Sequence, residues 1–547
     1  MGTPGGVAGS ALLPAVRPVP QIDLDDFQTS LAVRPLRPDD FEAIVRLHDA
    51  CFPGMETWTP AELRELIRVF PEGQLGVEND GQLVATALSL LVDVDAYAHT
   101  YAEVVGDAVT AHHDPEGDTL YGIEVAVDPA VQGMRIGRRL YEERKALCRR
   151  LNLRRIVIGG RLPGYHRVAD ELTPQAYVEA VLARERTEPV LSFQLANGFV
   201  VKRVAPGYLP EDDASCGVGV VMEWPNLHYH PDAAERTRST FPVRVCAVQY
   251  PVRPVDSFEA FARQVGFFVD AAAGYRADFV LFPEIFTLQL LSYLPPARRG
   301  AAVRQLAALA PDYLELFHDL AVRHNTNIVG GSTYVEEADG LYNVAYLFRR
   351  DGSIEAQKKL HVTPNERRWW GVQPGDGVHV FDTDRGRVAI AICYDVEFPE
   401  LARLAAAKGA QILFVPFCTD NRQGYLRVRI CAQARAIENQ MYVVTAGVTG
   451  LIPDVDNMDV NYAQSGVFTP SDFPFARDGV AAECEPNIEA IVVADLDLEL
   501  TRRNRLNGTV RPWTDRRTDL YEVVEKHPDG PPPMPATAPR STAVETG

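Results

Sequence analysis

The chain is poor in cysteine, in long apolar runs and in positive charge. Its 547 residues hold eight cysteines and no Cys-x-x-Cys pair. That is too sparse for a disulfide-stapled scaffold and reads as reduced thiols in a cytosolic protein. His112-His113-Asp114 and the pair His228 and His230 lack the further ligands of a zinc site, so no metal is expected. No apolar run approaches the roughly 20 residues that span a bilayer. Between Met1 and Gln21 there is no basic residue before Arg17 and no long apolar core, which argues against a signal peptide. Gly2 suggests N-myristoylation, but Gly6 stands where that pattern needs Ser or Thr. Lys and Arg number 54 against 74 Asp and Glu, a net charge of −20, which argues against nucleic acid as a partner.

What is present is an ordinary globular composition, 46% hydrophobic and 23% charged. The chain is too long for one core, so at least two domains are expected. Residues 1–30, rich in Gly, Ala and Pro, are predicted to be a disordered tail. Residues 226–241 suit a linker, and residues 526–547, with Pro-Pro-Pro-Met-Pro, a second tail. Folded segments are therefore predicted at 31–225 and 242–525. In both, apolar strands alternate with helical patterns, which predicts α/β layers.

In the second segment, the apolar run Val388–Ile392 predicts a buried strand, followed by Cys393, a turn, and a helix from Pro399 that stops near Gly409. A side chain at such a corner stands on a rigid base, the logic of a nucleophile elbow. A cysteine alone reads as a core residue. Two further stretches alter that reading. Phe279–Phe282 is an apolar strand leading through Pro283 to Glu284, and Lys359 precedes Glu366 by seven residues. With Arg435–Gln440 before the strand Met441–Thr445, and Asp515–Tyr521 near the end, these motifs resemble the nitrilase (carbon–nitrogen hydrolase) superfamily.

The resemblance covers residues 241–525 and implies a four-layer α-β-β-α sandwich that pairs into a homodimer. It implies Cys393 as nucleophile, Glu284 as base, Lys359 as the cation for a developing anion, and Glu366 in an orienting role. A free thiol, with a pKa of ~8.5, needs such a base. The substrate would be a small amide, ureide or nitrile, with no cofactor, and hydrolysis would pass through a thioester. An acyltransferase in which an amine replaces water is an alternative. The lack of a membrane span argues against the membrane-bound acyltransferase branch. His361 reads as a structural hydrogen-bonder, and Cys418 and Cys431 as core. Specificity is expected in the loops Glu336–Leu341, Arg367–Gly377 and Asp454–Tyr462.

In the first segment, the strand Leu120–Val127 leads into a turn, Gln132–Gly137, and then a helix. Backbone amides at such a helix start can hold a pyrophosphate. With Arg34–His48 and Ser192–Phe199, this stretch resembles a GNAT-type acetyltransferase over residues 31–225. The resemblance implies acetyl-CoA or another acyl-CoA as cofactor, contacted by Val125, Val127, Gln132, Gly133, Arg135 and Gly137. Arg135 replaces the turn's central glycine and is expected to contact phosphate directly. Gln194 replaces the tyrosine that often serves as general acid. Glu124 is a base candidate or a plain strand-edge carboxylate. The domain would then transfer an acyl group, or sense CoA or dock a substrate without catalysis.

Overall fold

The computed structural model describes residues 22–93, 100–105, 112–131, 133–229, 242–455, 458 and 460–526. The expected linker beyond residue 229, the C-terminal tail beyond 526 and Gln132 lie outside the described residues.

The N-terminal unit contains β1 (Leu31–Pro35), α1 (Phe41–Cys51), α2 (Pro60–Val69), β2 (Leu75–Asn79), β3 (Gln82–Val92), α3 (Tyr101–Val105), β4 (Thr119–Val127), α4 (Ile136–Arg150), β5 (Arg155–Arg161), α5 (Pro174–Leu182), α6 (Pro189–Ala196), β6 (Val200–Pro206) and β7 (Val218–Pro225). Its seven strands run in the order β1-β2-β3-β4-β5-β7-β6. Strands β4 and β5 pair in parallel only from Thr119 to Gly122 against Arg155 to Ile158. Beyond that point β5 continues along β7 and β4 along β3, with Ile123 bulged between Gly122 and Glu124. The sheet therefore splays open where Glu124 and Gly160 sit.

The C-terminal unit follows with β8 (Val243–Val252), α7 (Phe258–Gly274), β9 (Phe279–Leu281), α8 (Arg299–Ala307), α9 (Ala310–His324), β10 (Asn327–Val329), β11 (Thr333–Glu337), β12 (Gly340–Phe348), β13 (Ile354–Lys358), β14 (Val380–Thr383), β15 (Gly386–Ile390), α10 (Pro399–Ala407), β16 (Ile412–Phe417), α11 (Arg422–Asn439), β17 (Tyr442–Gly450), β18 (Gly466–Phe468), β19 (Val480–Glu483), β20 (Ala490–Leu496) and α12 (Leu498–Asn507). The strands form two halves joined where β8 meets β17. Strand β8 shows how the layers are built. Val245 and Ala247 face the other half-sheet, while Cys246, Val248 and Tyr250 face α7 and α9. Both faces are covered, so the strands are apolar throughout rather than alternating. Helices α10 and α11 close the opposite side through Leu401, Ala405, Ala432 and Ala436. The result is a four-layer α-β-β-α sandwich.

Residues 22–30, expected to belong to a tail, lie on the C-terminal unit instead. Ile22, Leu24 and Phe27 are apolar side chains within that polar stretch, and they pack against its core. The Thr29 hydroxyl bonds the His318 ring at 3.1 Å, and the Thr29 amide donates to the Gly352 carbonyl. The two units also meet along α4. Arg138 donates to the carbonyl of Ala273 at the end of α7, and buried Arg139 to that of Val322 at the end of α9. Each cation thus caps a helix C-terminus, where the macrodipole favours positive charge.

Candidate active site

Strand β9 leads through Phe282 and Pro283 to Glu284 at the C-terminal edge of the sheet. Gly331 beside it has φ 73°, and a Cβ there would strike the Pro283 carbonyl, so only glycine lets the chains approach this closely. Strand β13 runs directly into Lys359, whose amide donates to the carbonyl of Asn343 on β12 at 2.8 Å. Glu366 begins a short turn. It accepts from the Thr363 amide and hydroxyl at 3.0 and 2.8 Å, while its own amide donates to the Thr363 hydroxyl. This reciprocal pair fixes the turn as a capping box does. Cys393 lies just past β15 with φ 48°, a strained left-handed conformation for a residue with a side chain.

The structure brings all four residues together. Lys359 Nζ is 2.7 Å from Glu284 Oε1 and 2.7 Å from Glu366 Oε2. The Cys393 thiol lies close enough to Glu284 for that carboxylate to raise its pKa; its Sγ donates to the Cys418 carbonyl at 3.7 Å. The side chains of Lys359, Glu284 and Glu366 are 1, 3 and 6% exposed, which makes their charges strongly interdependent.

Burial raises the Glu284 carboxyl, with Lys359 opposing and Glu366 adding. Burial and the Glu284 charge push the Cys393 thiol well above its usual value, so the resting nucleophile is a thiol and not a thiolate. Burial alone would lower Lys359. The two carboxylates outweigh it and hold the ammonium well above the usual lysine range, a permanent cation. Burial would likewise raise Glu366, but Lys359, Asn343 and Thr363 overcome it and keep this carboxylate ionised below its ordinary value. One glutamate is thus held charged and the other is left readier to take a proton.

Several neighbours were invisible in the sequence. Asn343 Nδ2 donates to both Glu284 Oε1 and Glu366 Oε1, at 3.1 and 3.0 Å. The Cys418 amide donates to Glu284 Oε2 at 3.0 Å, so Cys418 adjoins the site and is not merely core as expected. Buried Asp395 accepts from the amides of His361 and Ile392 at 2.7 and 3.2 Å, and from His361 Nδ1 at 2.8 Å. It ties the segment after Lys359 to the segment before Cys393. His361 therefore does bond structurally, and its ring also stacks on Phe398 with centroids 3.6 Å apart. A cleft of about 530 Å³ adjoins this region, lined by residues that include Leu360, His361, Arg367, Arg368, Tyr394 and Phe398. Arg367 belongs to one of the three loops expected to set specificity.

In the N-terminal unit, Glu124 sits on the splayed part of β4. Its Oε2 accepts from His48 Nδ1 at 2.8 Å and Trp58 Nε1 at 3.0 Å, while Oε1 is buried without a partner. Gln194 is buried with its Oε1 over Gly160 on β5, leaving no room there for a side chain. The turn before α4 contains Gly133 at φ 97° and Arg135 at φ 54°, and Gly137, in the first turn of the helix, lies under the Phe193 ring. Val125 and Val127 line β4 nearby. The Arg135 side chain is partly buried and reaches across to the C-terminal unit. It donates to Asp270 at 2.9 Å and bonds the His324 ring at 3.1 Å, both in the C-terminal unit. Burial and the Arg135 charge push His324 down to about 4, so this imidazole is neutral.

Comparisons with known proteins agree with this architecture. The Carbon-nitrogen hydrolase family matches residues 244–505, and the Acetyltransferase (GNAT) family matches residues 41–168. A probable hydrolase YhcX of Bacillus subtilis is 52% identical over 509 residues, covering 92% of this chain and 99% of the relative. An uncharacterized N-acetyltransferase YkwB of the same organism is 34% identical over 206 residues, or 37% of this chain and 91% of the relative. Omega-amidase NIT2 of Xenopus tropicalis is 30% identical over 293 residues, or 52% of this chain and 98% of the relative. No helix among the described residues is long and apolar enough to cross a membrane. The chain belongs to the carbon–nitrogen hydrolase (nitrilase) superfamily, as a hydrolase domain fused C-terminal to a GNAT-type acetyltransferase domain.

Proposed function

We propose that the C-terminal domain hydrolyses a small-molecule amide through a thioester on Cys393. The observation that carries this reading is Lys359 at 2.7 Å from two buried carboxylates, with the Cys393 thiol close enough to Glu284 to be raised by its charge. Glu284 takes the thiol proton as sulfur bonds to the amide carbon. The resulting oxyanion is met by Lys359, which has a third N–H beyond the two used on the glutamates, and by the Tyr394 amide. The C–N bond then breaks, and the amine leaves with the proton held by Glu284. Water attacks the thioester, its proton returning to Glu284, and the C–S bond breaks to release acid and restore the thiol. Because the thiol is protonated at rest, Glu284 acts during attack as a general base. The test is an ammonia-release screen over amides, ureides and nitriles with Cys393→Ala as blank. Cys393-dependent release from at least one amide is expected, and equal release by the variant refutes the reading.

For the N-terminal domain we infer acyl-CoA binding in the splay between β4 and β5, with the phosphates at the start of α4 and Glu124 Oε1 as proton acceptor. A second reading, a CoA-sensing or docking module, is favoured by two observations. Arg135 of the phosphate turn is engaged by Asp270 and His324 of the hydrolase domain, and Gln194 offers no acid. Calorimetry with CoA separates binding from none, and an acetyl-transfer assay separates transfer from sensing. A loss of affinity in Gly137→Glu is expected, because an added side chain there meets Phe193.

A further inference from the structure

Asn343 is fully buried on β12 and takes no part in the steps above. Its amide nitrogen reaches Glu284 Oε1 at 3.1 Å and Glu366 Oε1 at 3.0 Å. Lys359 Nζ bridges the same two carboxylates at 2.7 Å each. The four side chains thus form a closed ring in which each donor serves both acceptors. The carbonyl of Asn343 also receives the Lys359 amide, so one residue holds the lysine by its main chain and both glutamates by its side chain. The amide orientation follows from the partners, because its Oδ1 would otherwise face two carboxylates. That oxygen is buried and without a hydrogen-bond partner, so the orientation is kept at the cost of an unsatisfied acceptor.

We propose that Asn343 is a positioning residue that selects which oxygen of Glu284 acts as the base. Oε1 is saturated by Lys359 and Asn343. Oε2 accepts only the Cys418 amide among the described partners, and it is therefore the oxygen left for the Cys393 proton. Asn343 is also the neutral donor of the ring, stabilising ionised Glu284 without adding charge. Removing it leaves two carboxylates on one ammonium, raises the proton affinity of Glu284 and frees Oε1 to rotate towards sulfur. This inference rests on the hydrolase reading above.

The experiment follows the pH dependence of two rates in the full-length protein. One is ammonia release from the best amide of the screen. The other is site-resolved labelling of Cys393 by iodoacetamide, which needs no natural substrate. Wild type is compared with Asn343→Ala and with Asn343→Leu, which fills the space without donating. Folding of each is checked by thermal melting. In either variant that melts cooperatively, the acid limb of both profiles is expected to move to higher pH by about one unit. That is the size of a lost hydrogen bond to a charged group. A limb that stays at the wild-type pH in a folded variant overturns the inference, even where the overall rate falls. Failure of both variants to fold overturns it too, since Asn343 would then be a structural requirement and not a tuner of Glu284. Absence of Cys393-dependent release by the wild type speaks against the hydrolase reading alone, because the labelling profiles still report on Asn343.

Discussion

At the scale of single residues, Glu284 and Glu366 are chemically identical and are pushed apart by their surroundings. Glu366 has its charge supported by Lys359, Asn343 and Thr363, whereas burial dominates at Glu284. A group with a raised pKa acts as a base only above that value. Activity should therefore fall as pH drops through a limb above the ordinary glutamate range, and a kcat/KM profile locates it. A limb at ordinary carboxylate pH would assign the base elsewhere. Glu284→Gln keeps the shape and removes the base, so kcat should drop by about 10²–10⁴. Lys359→Ala removes the cation beside the anion and should cost about 10²–10³. Combined variants should lose much less than the product of these factors, because the residues act as one unit. Glu284, Lys359 and Cys393 were legible in the sequence because each ends a recognisable strand motif. Asn343 was not, since an asparagine within an apolar strand gives no sign of what faces it 59 residues away.

Among elements, the decisive junction is the one between the Lys359 segment and the Cys393 elbow. Asp395 accepts backbone hydrogens from both and is 1% exposed. Asp395→Ala would leave the buried Ile392 amide and the part-buried His361 amide without their acceptor, at a cost on the order of 3 kcal/mol. A large drop in Tm is expected. A melt unchanged from wild type would show that the elbow holds without this carboxylate. The interdomain pair Arg135–Asp270 provides a contrast. Asp270 is 65% exposed, so Asp270→Ala should change stability by no more than about 0.5 kcal/mol. Strands β4 and β9 and helix α10 were predicted close to their observed bounds, because their residue patterns are local signals. Short strands such as β13, β14, β18 and β19, and the anchoring of residues 22–30, were not. They depend on long-range pairing and on three scattered apolar side chains, not on local periodicity.

For the whole molecule, the fusion places the start of α4 against the ends of α7 and α9, so the inferred cofactor turn and the hydrolase share an interface. Ile430 and Ile437 of α11 remain 59 and 38% exposed. We expect the full chain to sediment as a homodimer of 60.4 kDa protomers, and a clean monomer at micromolar concentration would contradict that. The central claim is that amide hydrolysis passes through a covalent bond to Cys393. The most direct test is to quench the enzyme in acid during turnover of its best amide and map the peptides by mass. An added acyl mass on Cys393 is expected, absent from Cys393→Ala, which should also release no ammonia. An acyl group on Cys418 instead, or undiminished hydrolysis by Cys393→Ala, would contradict it.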